Sequence, residues 1–293
     1  MDGPRSRHGF VAGRPHWWQW PTVLSLDAPA VAVGWQLALG RAAGVPLRMH
    51  HAFVLGASVW LAYAADRWIE GWRLDPAQVL TQRHWFYQEW RRAVALVWAG
   101  VFAAAVTTAL TTLSSRELAA GFCLLGPVLL YLLSHQLVHR GHPWRAPKEV
   151  CVALLLAGGV ACFPAARDVG AFSRMAFPLG LFTLLCFANC ALISLWEHEV
   201  DRAHGQTSLA LQFPRGGAVT RALPWLLAAA GASAALRPMP GPALLWCGAA
   251  SGGLLGAVDL AHRRLGRQLS RSLADVALLT PWAPLAAAAL RHP

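Results

Sequence analysis

Acidic side chains and lysine are scarce in this chain. Only 14 of its 293 residues are Asp or Glu, Lys148 is its single lysine, and charged residues make up 13% against 56% hydrophobic. A soluble domain carries roughly twice that share of charge, so composition excludes an ordinary soluble protein. The six cysteines (Cys123, Cys151, Cys162, Cys186, Cys190 and Cys247) form no Cys-x-x-Cys pair and lie in apolar stretches. That excludes a zinc ribbon and argues against a disulfide framework. Strand-like alternation is missing, which excludes a β-barrel. A charged start followed by a short apolar core and a small-residue cleavage site is also missing. Residues 1–20 are basic, polar and Trp-rich, so no cleaved signal peptide is expected.

What the chain has in abundance is long apolar runs. Taking about 20 residues per span, they fall at roughly 23–40, 51–70, 93–112, 117–138, 149–166, 172–196, 218–236, 241–261 and 273–290. The expectation is an all-α, polytopic membrane helix bundle of about nine transmembrane helices. It forms a single integral-membrane domain over residues 1–293, with 1–20 as a cytoplasmic N-terminal segment. Most of the 25 Lys and Arg residues fall on the same side as the N-terminus, and cytoplasmic loops are the basic ones. The N-terminus is therefore assigned to the cytoplasm. The formal net charge of +11 is explained by loops facing anionic lipid, and no nucleic-acid partner is expected.

Two acidic clusters end apolar runs, and this orientation puts both on the cytoplasmic side. One is Asp66-Arg67-Trp68-Ile69-Glu70; the other is Glu197-His198-Glu199-Val200-Asp201-Arg202. Asp66 and Glu70 are four apart, as are Glu197 and Asp201, so on a helix each pair shares a face. Two carboxylates on one face repel unless a cation sits between them. Magnesium takes one or two carboxylates and leaves its remaining positions to phosphate and water. The alternative is two solvated helix ends paired with nearby arginines. The longest connections without apolar character, 71–92 and 197–217, each follow one of these clusters, where long loops carry function.

The second cluster resembles a motif of the UbiA superfamily of intramembrane prenyltransferases, Asp-x-Glu-Gly-Asp-Arg-x-x-Gly-x-x-Thr-Leu. The chain reads Glu197-His-Glu199-Val-Asp201-Arg202-Ala-His-Gly205-Gln-Thr-Ser208-Leu209. The first family motif, Asn-Asp-x-x-Asp-x-x-x-Asp, is matched in kind by Asp66 and Glu70, with Ala62 and Tyr63 in place of the leading Asn-Asp. The resemblance implies Mg²⁺-dependent transfer of a prenyl group from a prenyl diphosphate to a lipophilic acceptor, an aromatic or quinone precursor, within the membrane. It implies Asp66, Glu70, Glu197 and Asp201 as catalytic metal ligands. Arg67, Arg83, Lys148, Arg202, Asn189 and Tyr63 are the substrate-binding candidates. The implied place is the cytoplasmic membrane of a bacterium, with the site open to the cytosol. Two alternatives use the same bundle: ionisation and cyclisation of the prenyl diphosphate, or non-catalytic binding of a lipid or quinone.

Other polar residues stay open between roles. Asp27, beside Pro29, is either a functional buried acid or a helix cap. Asn189, two turns before Glu197, reaches a cavity or bonds between helices. Tyr63, Trp60 and Trp196 are either carbocation shields or interfacial packing. His135, His139 and His142 share a helical face if the helix continues that far, but one His-x-x-x-His is too little for a histidine metalloenzyme.

Overall fold

The computed structural model describes residues 15–73, 81–134, 147–203, 207–238 and 241–291, and these are helical almost throughout. In chain order the helices are α1 (Trp20–Val23), α2 (Asp27–Ala42), α3 (Met49–Arg73), α4 (Gln82–Glu89), α5 (Arg91–Thr112), α6 (Ser115–Leu133) and α7 (Lys148–Arg167). Then come α8 (Val169–Trp196), α9 (His198–Ala203), α10 (Leu209–Gln212), α11 (Gly217–Ala235), α12 (Pro242–Leu265), α13 (Arg267–Ala277) and α14 (Trp282–Arg291). Each expected apolar stretch falls on a helix or a broken helix pair over its described residues.

Length and composition alone single out fewer than nine of these as spans. Among the described residues five helices (α5, α6, α7, α8 and α12) are long and apolar enough to cross a membrane, or seven if each bent pair is one span. The bent pairs are Trp17–Val23 with α2, at 73°, and α13 with α14, at 49°. Two expected spans fall short for compositional reasons. Helix α3 carries His50, His51, Asp66, Arg67 and Glu70, and α11 is diluted by Ala, Gly, Thr220 and Arg221. The connections at 71–92 and 197–217 also differ from expectation, because they contain the short helices α4, α9 and α10.

Helix α8 forms the axis of the core. Between Val169 and Trp196 its only charge is Arg174, and Phe182, Leu185, Ala188 and Leu192 are fully buried. Trp35 of α2 stacks on Phe182 with ring centroids 4.7 Å apart, and its Nε1 donates to the carbonyl of Leu278 at 2.9 Å. By contrast α5 and α6 turn Leu96, Leu110, Leu129 and Leu130 outward, as helices facing lipid do. Helices α11 and α12 meet through glycine. A Cβ on Gly252 would stand 2.7 Å from the Pro224 carbonyl oxygen and 2.8 Å from the Ala228 nitrogen. Since backbone cannot step aside as a side chain can, Gly252→Ala is expected to cost about 1–3 kcal/mol, read as a lower thermal unfolding midpoint in detergent.

The breaks are where polar groups enter the bundle. Ser25 precedes α2 at φ 58°, a left-handed conformation that is uncommon outside glycine, and its hydroxyl lies 3.1 Å from that of Tyr87. The turn starts α2 at Asp27, whose Oδ1 accepts from the Ala28 nitrogen at 2.9 Å. At the other break Thr280 lies 2.8 Å from the Ser251 hydroxyl and donates to the Cys247 carbonyl at 2.9 Å.

Candidate functional site

A cavity of about 180 Å³ collects the polar residues of α2, α3, α4, α6, α7, α8, α9 and α13. Asp66, Glu70, Glu197 and Asp201 all line it, so the two acidic clusters face one space. Tyr63, Arg67, Arg83, Lys148 and Asn189 line it too. The spacing argument holds on α3, where Asp66 and Glu70 lie on one continuous helix. After α8 the helix breaks: Glu197 is its C-cap, and Asp201 sits on the six-residue α9. A hydrogen bond from the Asp201 nitrogen to the Glu197 carbonyl at 2.9 Å preserves the one-turn relation across the break.

Acids of both clusters have protein partners. Glu197 is ion-paired with Arg271 and lies 3.6 Å from Arg83, Asp201 is 3.8 Å from Lys148, and Glu70 is 3.0 Å from His84 Nε2. Burial pushes the Glu197 carboxyl up, but Arg271 and Arg83 outweigh it and hold the group at about 2. Burial, together with the like charge of Arg271, draws the Arg83 guanidinium down to about 10, which leaves it charged at neutral pH.

Arg67 behaves differently. It is only 7% exposed, it lines the cavity, and its Nε has no hydrogen-bond partner. Among the described residues no ion pair engages it. A buried guanidinium is costly without an anion, so Arg67 marks where the cavity is short of negative charge.

His84 is fully buried on α4 beside Glu70. Its Nδ1 lies 2.7 Å from the Thr81 hydroxyl and its Nε2 faces Glu70. Burial, which outweighs the hydrogen bond to Glu70, lowers its pKa from 6.5 to about 4. Between those values the unfolded chain binds a proton that the folded chain excludes. Stability present above pH 6.5 therefore drains away as pH falls toward 4, by up to a few kcal/mol. The expected result is a falling unfolding midpoint across that window, flattened in His84→Gln.

Arg202 is a correction. It is exposed and does not line the cavity. On the short α9 it is the next residue after buried Asp201, which turns it about 100° away from the site. Trp60 and Trp196 are also absent from the cavity lining. Trp60 donates to the Leu24 carbonyl at 2.9 Å, and Trp196 stacks on His262 and donates to Asp259 at 3.0 Å, so both serve packing. Asn189 fills both of its expected roles, lining the cavity and reaching Asp275 of α13 at 3.4 Å. Asp27 lines the cavity from the first turn of α2, where its Oδ1 accepts from the Ala28 nitrogen, but the cap position itself is Leu26. His135, His139 and His142 lie outside the described residues.

Sequence reasoning missed Glu149, Tyr131, Arg271 and Asp275, all of which line the cavity. Arg271 and Asp275 are one turn apart at the start of the last apolar stretch, an i,i+4 pair that could have been noticed.

Carboxylate oxygens are the donors a hard divalent cation takes. Among the described residues no group of three or more His, Cys, Asp or Glu converges on one point. Asp66, Glu70, Glu197 and Asp201 are the residues that would hold such a cation, and among the described residues they do not form a closed cage.

No protein-family model matches the chain, and neither does any curated protein. Among solved structures the chain is similar to the apo structure of a UbiA homolog from Aeropyrum pernix K1, with a TM-score of 0.59 and 16% sequence identity. The match covers 89% of this chain and 98% of that one. The chain thus has a UbiA-like fold, as expected from its motifs, and it is an integral membrane protein.

Proposed function

We propose that this protein binds a prenyl diphosphate in the cavity and transfers its prenyl group to a lipophilic acceptor inside the membrane, with the N-terminus and the cavity mouth on the cytoplasmic side. One observation carries the reading: two acidic pairs and the unengaged, buried Arg67 share a single cavity. Acids that bind a cation and a guanidinium that needs an anion are together satisfied by a diphosphate with its metal. The UbiA-like fold supports the same reading.

Each residue has a definite task in this account. Arg67 meets the diphosphate directly. Lys148 and Arg83, now 3.8 Å and 3.6 Å from Asp201 and Glu197, are placed to lend charge to phosphate oxygens. Asp66, Glu70, Glu197 and Asp201 would hold Mg²⁺, which when bound supplies charge neutralisation as the allylic C–O bond ionises. Val152, Leu156, Ile193 and Leu278 give the cavity an apolar wall for the prenyl chain and keep water from the reacting carbon. Preorganised charge aimed at the leaving diphosphate is the main catalytic term.

A non-catalytic, lipid-binding role draws on a separate observation, since carboxylates of both clusters already have protein partners. Titration of the purified protein with farnesyl thiodiphosphate, an analogue that resists ionisation, tests for the site. Farnesyl diphosphate with Mg²⁺ then separates the two readings. The transfer reading expects saturable binding of the analogue and release of diphosphate from the substrate. Binding without release supports the lipid-binding role, and absence of both would sink the diphosphate site.

A further inference from the structure

Three carboxyl groups that belong to neither acidic motif line the same cavity: Asp27 at the start of α2, Glu149 in the first turn of α7, and Asp275 in α13. Asp27 and Asp275 lie on the two bent helix pairs. Broken helices at membrane depth persist where they line a cavity, so the bends and the acids have a common explanation. The strained Ser25 turn starts α2 at Asp27, Asp27 and Asp275 are close electrostatic neighbours, and Asp275 accepts from Asn189 Nδ2 at 3.4 Å.

Glu149 supplies the independent sign of a ligand. Its Oε1 accepts from the Leu209 nitrogen at 2.9 Å, which ties the second motif to α7. Its Oε2 is buried without a partner among the described residues, and the side chain belongs to a residue only 2% exposed. A buried carboxylate oxygen lacking a donor is costly, so the cavity is short of a hydrogen-bond donor there. Cys190 has both Glu149 and Asp275 among its charged neighbours, which brings the orphaned oxygen and the acid pair to one region. Arg271 flanks Asp27 and Asp275, and Lys148 flanks Glu149. Neither cation donates to Glu149 Oε2, so a donor is still missing there, and a hydroxyl group can supply it.

We propose that Asp27, Glu149 and Asp275 form a hydrogen-bond-accepting subsite for the hydroxyl group of a lipophilic second substrate. Val31, Leu156 and Leu278 give that substrate an apolar surround. The inference deepens the transfer reading and rests on it, because it locates the acceptor beside the diphosphate end of the same cavity.

The test compares 4-propylphenol with 4-propylanisole, which lacks the donor, by ligand-observed NMR titration of the full-length protein in detergent. Titrations are run with and without farnesyl thiodiphosphate and Mg²⁺. The phenol is expected to bind about 10-fold tighter than the anisole in the wild type. In Asp275→Asn and in Glu149→Gln that preference should shrink to within about 2-fold, because each replaces an accepting oxygen by an amide. Glu149→Gln keeps an oxygen for Leu209 and so decides the matter if Asp275→Asn does not fold. Equal binding of the two probes to the wild type, or a preference that survives in the variants, overturns the subsite. A phenol preference in protein that ignores farnesyl thiodiphosphate upholds the subsite and removes the transfer reading.

Discussion

Asp201→Asn is expected to lower diphosphate release from farnesyl diphosphate by about 100-fold or more while leaving the protein folded. Asp201 is 4% exposed and 3.8 Å from Lys148, at the point where α9 meets the cavity. Its carboxylate both offers a cation ligand and orients the chain's only lysine. The amide keeps the shape and the backbone bond to the Glu197 carbonyl but removes the charge. Steady-state release in detergent checks the rate, and the unfolding midpoint checks the fold. Unchanged release would remove Asp201 from the site. Glu197 should be less informative, because Arg271 and Arg83 hold its carboxylate in internal ion pairs.

The second large effect is a trade. Arg67→Met should raise the unfolding midpoint of the ligand-free protein and weaken farnesyl thiodiphosphate binding by about 10- to 100-fold. Both signs follow from one fact: a buried guanidinium with no ion-pair partner among the described residues destabilises the empty protein and stabilises the protein holding an anion. A structural arginine would behave oppositely, losing stability on replacement with affinity little changed. Thermal unfolding and titration on the same preparation distinguish the two.

Much of this site was legible in the sequence for a simple reason. Acids at the ends of apolar helices are expensive, and their i,i+4 spacing survives folding. Asp66, Glu70, Glu197 and Asp201 were visible on those grounds, and basic-loop asymmetry suggested that they meet. What stayed hidden depends on contacts distant in sequence. Arg271 pairs with Glu197 and Asp275 with Asn189, separations of 74 and 86 residues that no local pattern encodes. Arg202 misled because motif adjacency to Asp201 says nothing about which side of a one-turn helix it faces. The expected spans depart from uniform apolar helices in two ways: α3 is 25 residues long but charged at its end, and the first and last apolar stretches are bent. Those same bent pairs carry Asp27 and Asp275 into the cavity, so the irregularity built part of the site.

The claim that the two acidic clusters act as one site is tested most directly by a double-mutant cycle on farnesyl thiodiphosphate affinity in Mg²⁺. The cycle uses Glu70→Gln, Asp201→Asn and the double variant. If both acids hold the same bridged ligand, the double variant should depart from the sum of the single effects by about 0.5–3 kcal/mol. Effects that add to within about 0.3–0.5 kcal/mol would mean that the clusters act separately, and would contradict the shared site.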